Sequence, residues 1–198
     1  MFPDDRANEH FLATMANPEW RAYFRSTRAH NTLELMDVDQ SVSGGPFLWS
    51  QHAWSRLLAV DGLEEQTSLA FWQAEHSGYV SRGGPVHRRT VTFNRGSRVL
   101  TIQDEIHGTN IASAALCFHL GPAVQCELKT NAATLSWTGG GAILELPSAL
   151  NWSLHRGEEN PPLGWFSPSF DLKIPTFTRL GTGSATVGKM KTSQLRVL

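Results

Sequence analysis

Thr90-Val91-Thr92-Phe93-Asn94-Arg95-Gly96-Ser97-Arg98-Val99-Leu100-Thr101-Ile102 is the stretch that decides the fold. Two runs rich in β-branched residues flank Asn94-Arg95-Gly96-Ser97, whose turn chemistry predicts a β-hairpin. The same grammar repeats on both sides. Downstream, Leu135 to Trp137 and Ala142 to Leu146 bracket Gly139-Gly140-Gly141, a second hairpin. Between the two, Ala112, Ala114, Leu116, Phe118 and Leu120 share one strand face, with Ser113, Cys117 and His119 opposite. Upstream, Leu33 and Leu35 alternate with Thr32 and Glu34, and Thr67 to Ala74 is rich in Leu, Phe and Trp. Leu150 to His155 predicts a further strand. Helical signals are few. Asn17-Pro18-Glu19 reads as cap, first-turn proline and first-turn acid, opening a short helix through Trp20, Tyr23 and Phe24 that ends by Thr27.

About nine strands separated by turns, without alternating helices, predict an all-β fold. The expected architecture is a large antiparallel β-sandwich with a short N-terminal helix. Residues 1–17 read as an irregular N-terminal extension and residues 18–198 as the sandwich domain. Arg156 to Pro168, containing Glu158-Glu159-Asn160-Pro161-Pro162, reads as an exposed loop, and the last strand, after Gly181, is the weakest signal.

Composition narrows the function classes. The 198 residues are 40% hydrophobic and 18% charged, ordinary for a globular chain. The longest apolar stretches, such as Ile111 to Leu120, are interrupted and too short for a spanning helix. A net charge of -1 provides no global field for nucleic acid or anionic lipid. Met1 to Arg6 lacks the basic-then-apolar pattern of a secretory signal. Cys117 and Cys126 are too few for a disulfide framework and lack metal spacing. Cys117 reads as a small buried hydrophobe, and a bridge between the two cysteines across a turn stays open.

No glycine-rich phosphate loop, nucleophile elbow or metal spacing is present, and the eight histidines are dispersed. The densest polar segment runs from Arg21 to Thr32, with Arg25, Arg28, His30 and Asn31 between helix and first strand. Arginine forks bind carboxylate and sulfate in a bidentate manner, which suits an acidic sugar. The competing reading has these arginines capping the helix and pairing with local acids. In His87-Arg88-Arg89, alternation turns a basic side chain toward the packed face, where it needs Asp104 or Glu105 from the neighbouring hairpin strand. Seven tryptophans supply either sugar-stacking platforms or core, and the pattern does not separate Trp49, Trp54, Trp152 and Trp165 on this point.

Trp20-Arg21-Ala22-Tyr23-Phe24-Arg25-Ser26-Thr27-Arg28-Ala29-His30-Asn31-Thr32 resembles the heparinase II/III-like polysaccharide lyases, in their C-terminal β-sandwich region. The similarity continues through Asp39-Gln40, Gly45-Pro46-Phe47-Leu48-Trp49, Gly78-Tyr79 and Pro85-Val86-His87-Arg88-Arg89. It extends to Leu100-Thr101-Ile102-Gln103-Asp104, Phe118-His119-Leu120 and Gly164-Trp165-Phe166-Ser167-Pro168. The resemblance implies a domain that joins an N-terminal α/α toroid in enzymes cleaving uronate-containing glycans, heparin/heparan sulfate-like or alginate-like, by β-elimination. It implies Arg25, Arg28 and Asn31 near the substrate, His30 as one ligand of a structural zinc, and a periplasmic or extracellular setting.

The toroid and the family's upstream His-Ala-Asp and Asp-x-Gly segments have no counterpart before Trp20, and Met36-Asp37 stands where Asp-Gly is usual. The expectation is therefore a domain with no catalytic residue of its own and an incomplete zinc site. Its partners would be an acidic polysaccharide and a separate toroid. The alternatives are a standalone, non-catalytic acidic-glycan-binding module or a truncated remnant.

Overall fold

A computed structural model describes residues 18–45, 48–63, 67–169, 172–188 and 191–198; Asn17 and the expected extension lie outside these. Helix α1 (Pro18–Arg25) starts on the proline with Glu19 in its first turn, and a 3-10 turn (Thr27–Ala29) follows. Strand β1 (Leu33–Leu35) comes next, then β2 (Val42–Gly45), β3 (Leu48–Gln51), β4 (Ser55–Asp61) and β5 (Leu69–His76). The predicted hairpin is β6 (Val86–Asn94) and β7 (Val99–His107), and the apolar strand is β8 (Ile111–His119). Strand β9 (Gln125–Lys129) leads into the second hairpin, β10 (Ala132–Trp137) and β11 (Gly140–Glu145), followed by β12 (Asn151–Arg156). Four short strands, β13 (Glu158–Glu159), β14 (Pro162–Leu163), β15 (Trp165–Ser169) and β16 (Leu172–Pro175), precede β17 (Phe177–Ala185) and β18 (Lys191–Val197).

Turn chemistry works as read. Asn94 pairs with Val99 across the first hairpin, and the Asn94 Oδ1 accepts the Ser97 amide at 2.9 Å. Trp137 pairs with Gly140 in the second, leaving Thr138-Gly139 as a two-residue loop with Gly139 at φ 86°, a conformation that favours glycine.

Two sheets result. The larger has the order β4-β5-β6-β7-β18-β11-β10-β9 and the smaller β1-β8-β17-β12. The main core lies between them: Leu33, Leu35, Ala114, Leu116 and Phe118 from the smaller sheet meet Ile106, Leu135, Ala142 and Leu144 from the larger. Among the described residues that core takes none from β4, β5 or β6, so these three strands overhang the smaller sheet.

The second face of β8 is also covered. Ala115 and Cys117 pack with Tyr23 of α1, Leu163 and Leu180, and Trp20 and Trp165 close over them. Arg156 to Pro168 is not simply an exposed loop. It carries the β13–β14 ribbon and most of β15, because buried Leu163 and half-buried Trp165 draw this stretch onto the outer face of the smaller sheet. Both cysteines are free thiols and both are buried, which settles the open question of a bridge.

Candidate functional site

The overhang creates a cleft of about 510 Å³. Its floor is the inner face of β4–β6 and its wall is the chain entering β1. Leu57, Trp72, Ala74, His76, His87 and Arg89 line the floor, and Asn31, Thr32 and Gln40 line the wall. Register explains the floor: His76 pairs with His87, and Ala74 pairs with Arg89, so all four share one face. Arg89 in turn pairs with Asp104, and Asp104 with Lys191, forming a row of charge across the sheet.

This row is locked. The Arg89 Nε and Nη2 donate to Asp104 Oδ1 and Oδ2 at 2.7 and 3.0 Å, a bidentate fork. Its Nη1 donates to the Asn31 carbonyl, tying the wall to the floor. Asp104 is 1% exposed. Burial alone pushes its carboxyl up, but Arg89 and His87 together bring it down to about 2. Lys191, opposite, donates to the Ser184 carbonyl at 2.7 Å.

A chain of hydrogen bonds sets the imidazole tautomers. The Gly78 amide donates to His76 Nδ1 at 3.2 Å, so the His76 proton sits on Nε2 and goes to His87 Nδ1 at 3.0 Å. The His87 Nε2–H then donates to Asp104 at 2.7 Å. Burial pushes His76 down to about 4, helped by the neighbouring His87 and Arg89. Each ring nitrogen of both histidines is therefore occupied. The cleft presents a fixed guanidinium and an indole, a combination able to hold an anionic, flat-faced ligand, and its histidines have no free lone pair for proton abstraction.

Of the four residues singled out in the sequence, Asn31 alone lines the cleft. Its Oδ1 accepts the His119 amide at 2.6 Å. Arg28 is committed to Glu34, with Nε to Oε2 at 3.0 Å and Nη2 to Oε1 closer still, as the local-pairing reading expects. The Arg28 carbonyl accepts His119 Nε2–H at 2.9 Å, so Arg28 and Asn31 converge on His119. Arg25 turns away, its guanidinium 4.1 Å from the Trp49 ring centre and one N–H donating to the Leu48 carbonyl. Other motif residues brace the same stretch: Asp39 accepts the Thr27 amide, Gln40 donates its amide to the Thr27 hydroxyl at 2.8 Å, and the buried Tyr79 hydroxyl donates to the Leu33 carbonyl at 3.1 Å. The tryptophans separate at last. Trp152 packs on the core, Trp165 covers the outer cluster, and Trp54 is 77% exposed.

His30 is exposed. Among the described residues no three His, Cys, Asp or Glu side chains gather where they could share a metal ion. A structural zinc takes four ligands, so these residues do not form a zinc site by themselves.

Sequence reasoning missed His76, whose partner His87 lies on the next strand, and His119. It placed a basic side chain of His87-Arg88-Arg89 against Asp104 or Glu105, because hairpin alternation makes that contact local; the structure assigns Asp104 to both Arg89 and His87.

The fold and site together define an all-β sandwich domain carrying an open cleft, floored by ion-paired arginines and paired histidines, on the overhang of its larger sheet. A family model described as "Heparinase II/III-like, C-terminal" matches residues 12–195. The chain belongs to this family. A crystal structure of heparinase III superposes with a TM-score of 0.66 at 18% identity, covering 92% of this chain and 25% of that one. A heparinase III described as the BT4657 gene product gives 0.67 at 15% identity, covering 92% and 26%. The chain thus spans about a quarter of the length of these heparinases. No curated protein matches the chain. Among the described residues no helix is long and apolar enough to cross a membrane.

Proposed function

We propose that this chain is the sandwich portion of a polysaccharide lyase acting on uronate-containing glycans by β-elimination, and that the reaction requires an α/α toroid. The observation that carries this reading is the committed state of the cleft. Arg89 is fixed by Asp104 and the Asn31 carbonyl, which leaves two of its five N–H groups for a carboxylate or sulfate, with Trp72 beside it, while both histidines are spent on each other, Asp104 and Gly78. Elimination needs a base at C5 of the uronate and an acid at the leaving oxygen. In this reading both come from the toroid, and the sandwich supplies the anion-binding wall with Asn31 at its rim. Arg28 acts indirectly by holding the His119 junction, and Arg25 by bracing Trp49. His30 is the one ligand this chain brings to a structural zinc whose remaining ligands lie elsewhere. The setting is the periplasm or the cell exterior, where such polymers are met.

The test is lyase assay and glycan titration of the same preparation. The expected result is no unsaturated uronate from the chain alone, with salt-sensitive binding to a uronate polymer that Arg89→Ala weakens. Elimination products from the chain alone would overturn the proposal, and so would binding indifferent to Arg89→Ala.

A further inference from the structure

We propose that Ser153, His155 and Glu158 form an acyl-transfer triad on the outer face of the smaller sheet, remote from the cleft, that cleaves small acyl esters such as acetate esters. Ser153 and His155 are two apart on β12 and therefore share a face. The Ser153 Oγ lies 2.6 Å from His155 Nε2, and His155 Nδ1 lies 2.9 Å from both Glu158 oxygens. The carboxylate fixes the tautomer: the proton sits on Nδ1, so the Nε2 lone pair faces the serine hydroxyl. The hydroxyl's other neighbour, the Leu180 carbonyl at 3.3 Å, is farther away and cannot take a proton at neutral pH.

Glu158 is placed by design of the backbone. Gly157 turns the chain at φ 64°, its amide is held by the Gly164 carbonyl at 2.9 Å, and the Trp165 indole donates to the Glu158 carbonyl at 2.8 Å. Strand β12 is the edge of its sheet, so every second amide along it points away from β17. A developing oxyanion on the acyl group would take its donors from among these outward amides. His155 keeps 21% of its side chain exposed and Ser153 is exposed, so an ester can reach them.

In the first step Ser153 Oγ bonds to the acyl carbon and its proton passes to His155 Nε2. The ester C–O bond breaks, and the departing alcohol oxygen takes that proton. Water then attacks the acyl-serine, giving a proton to Nε2, and Ser153 leaves with it. The net change is ester plus water to acid plus alcohol.

The experiment treats the full chain with p-nitrophenyl acetate and with a fluorophosphonate probe, followed by peptide mass mapping. The expected result is modification at Ser153. Ester hydrolysis should fall by about 100-fold or more in Ser153→Ala and at least about 10-fold in Glu158→Gln, with circular dichroism unchanged. Labelling confined to other residues, or hydrolysis undiminished in folded Ser153→Ala, overturns the proposal. Mapping of the unmodified chain decides the matter even where a variant fails to fold.

Discussion

Acid should unfold this domain in a window set first by His76. In the folded chain that imidazole is pushed from 6.5 down to about 4, chiefly by burial. A group whose pKa is depressed on folding stabilises the fold above its unfolded value and loses that contribution as pH falls through its folded value. The neutral form of His76 is therefore worth about 3 kcal/mol of stability at neutral pH, lost progressively between 6.5 and 4. Protonation also breaks the geometry, because a proton on Nδ1 would face the Gly78 amide, another donor. Urea unfolding followed by tryptophan fluorescence at a series of pH values reads this directly. His119 is depressed by burial as well and adds to the slope of the parent protein, so the informative comparison is with His76→Phe. At neutral pH that variant should be less stable, having left His87 Nδ1 without its donor. Between neutrality and pH 4.5 it should lose about 2 kcal/mol less than the parent. Equal losses in the two proteins would refute the hydrogen-bond chain as drawn.

Arg179 is wholly buried in the sandwich interior, its three side-chain nitrogens finding no hydrogen-bond partner among the described residues, with the Trp152 ring 5.8 Å away. Arg179→Met should therefore raise unfolding stability by about 1–4 kcal/mol in urea, and a loss of stability would show that the guanidinium has a favourable partner. Asp104→Asn should cost about 3–5 kcal/mol, because it strands Arg89 and Lys191 as buried or half-buried cations without a counter-charge. A cost below about 1 kcal/mol would refute the lock. Below pH 3.8 the same carboxylate's contribution should fade toward its folded value of about 2. Cys117, whose thiol burial pushes up to about 12, and Cys126 should be silent to a thiol reagent in the native protein and both react after unfolding. Rapid native reaction of either would contradict its burial.

Period and turn chemistry are local properties, so what they control can be read from neighbouring residues. The alternation through Thr90–Ile102 and the glycines at 139–141 specified two hairpins, and with them the all-β class. That a basic residue of His87-Arg88-Arg89 meets Asp104 or Glu105 was legible for the same reason, since hairpin register makes it a neighbour contact; that Arg89 and His87 share Asp104 was not. Pro18 and Glu19 likewise marked α1. The motif around Ala29-His30-Asn31-Thr32 announced the family, though not the work these residues do.

Which faces are covered, and what meets across them, depends on long-range packing. Alternation on β8 shows two faces, but Cys117 and Ala115 are buried because α1 and the β13–β16 ribbons fold back over them. His76 and His87 meet through a connection containing the Val80–Arg82 turn, whose path local pattern does not encode. Arg25 and Arg28 are nearly adjacent in sequence, yet one stacks on Trp49 and the other pairs with Glu34. The cleft itself exists because eight strands pair on one side and four on the other, leaving an overhang. A strand's period follows from its own residues; its neighbours, and the unpaired surface they leave, follow from the packing of the whole chain.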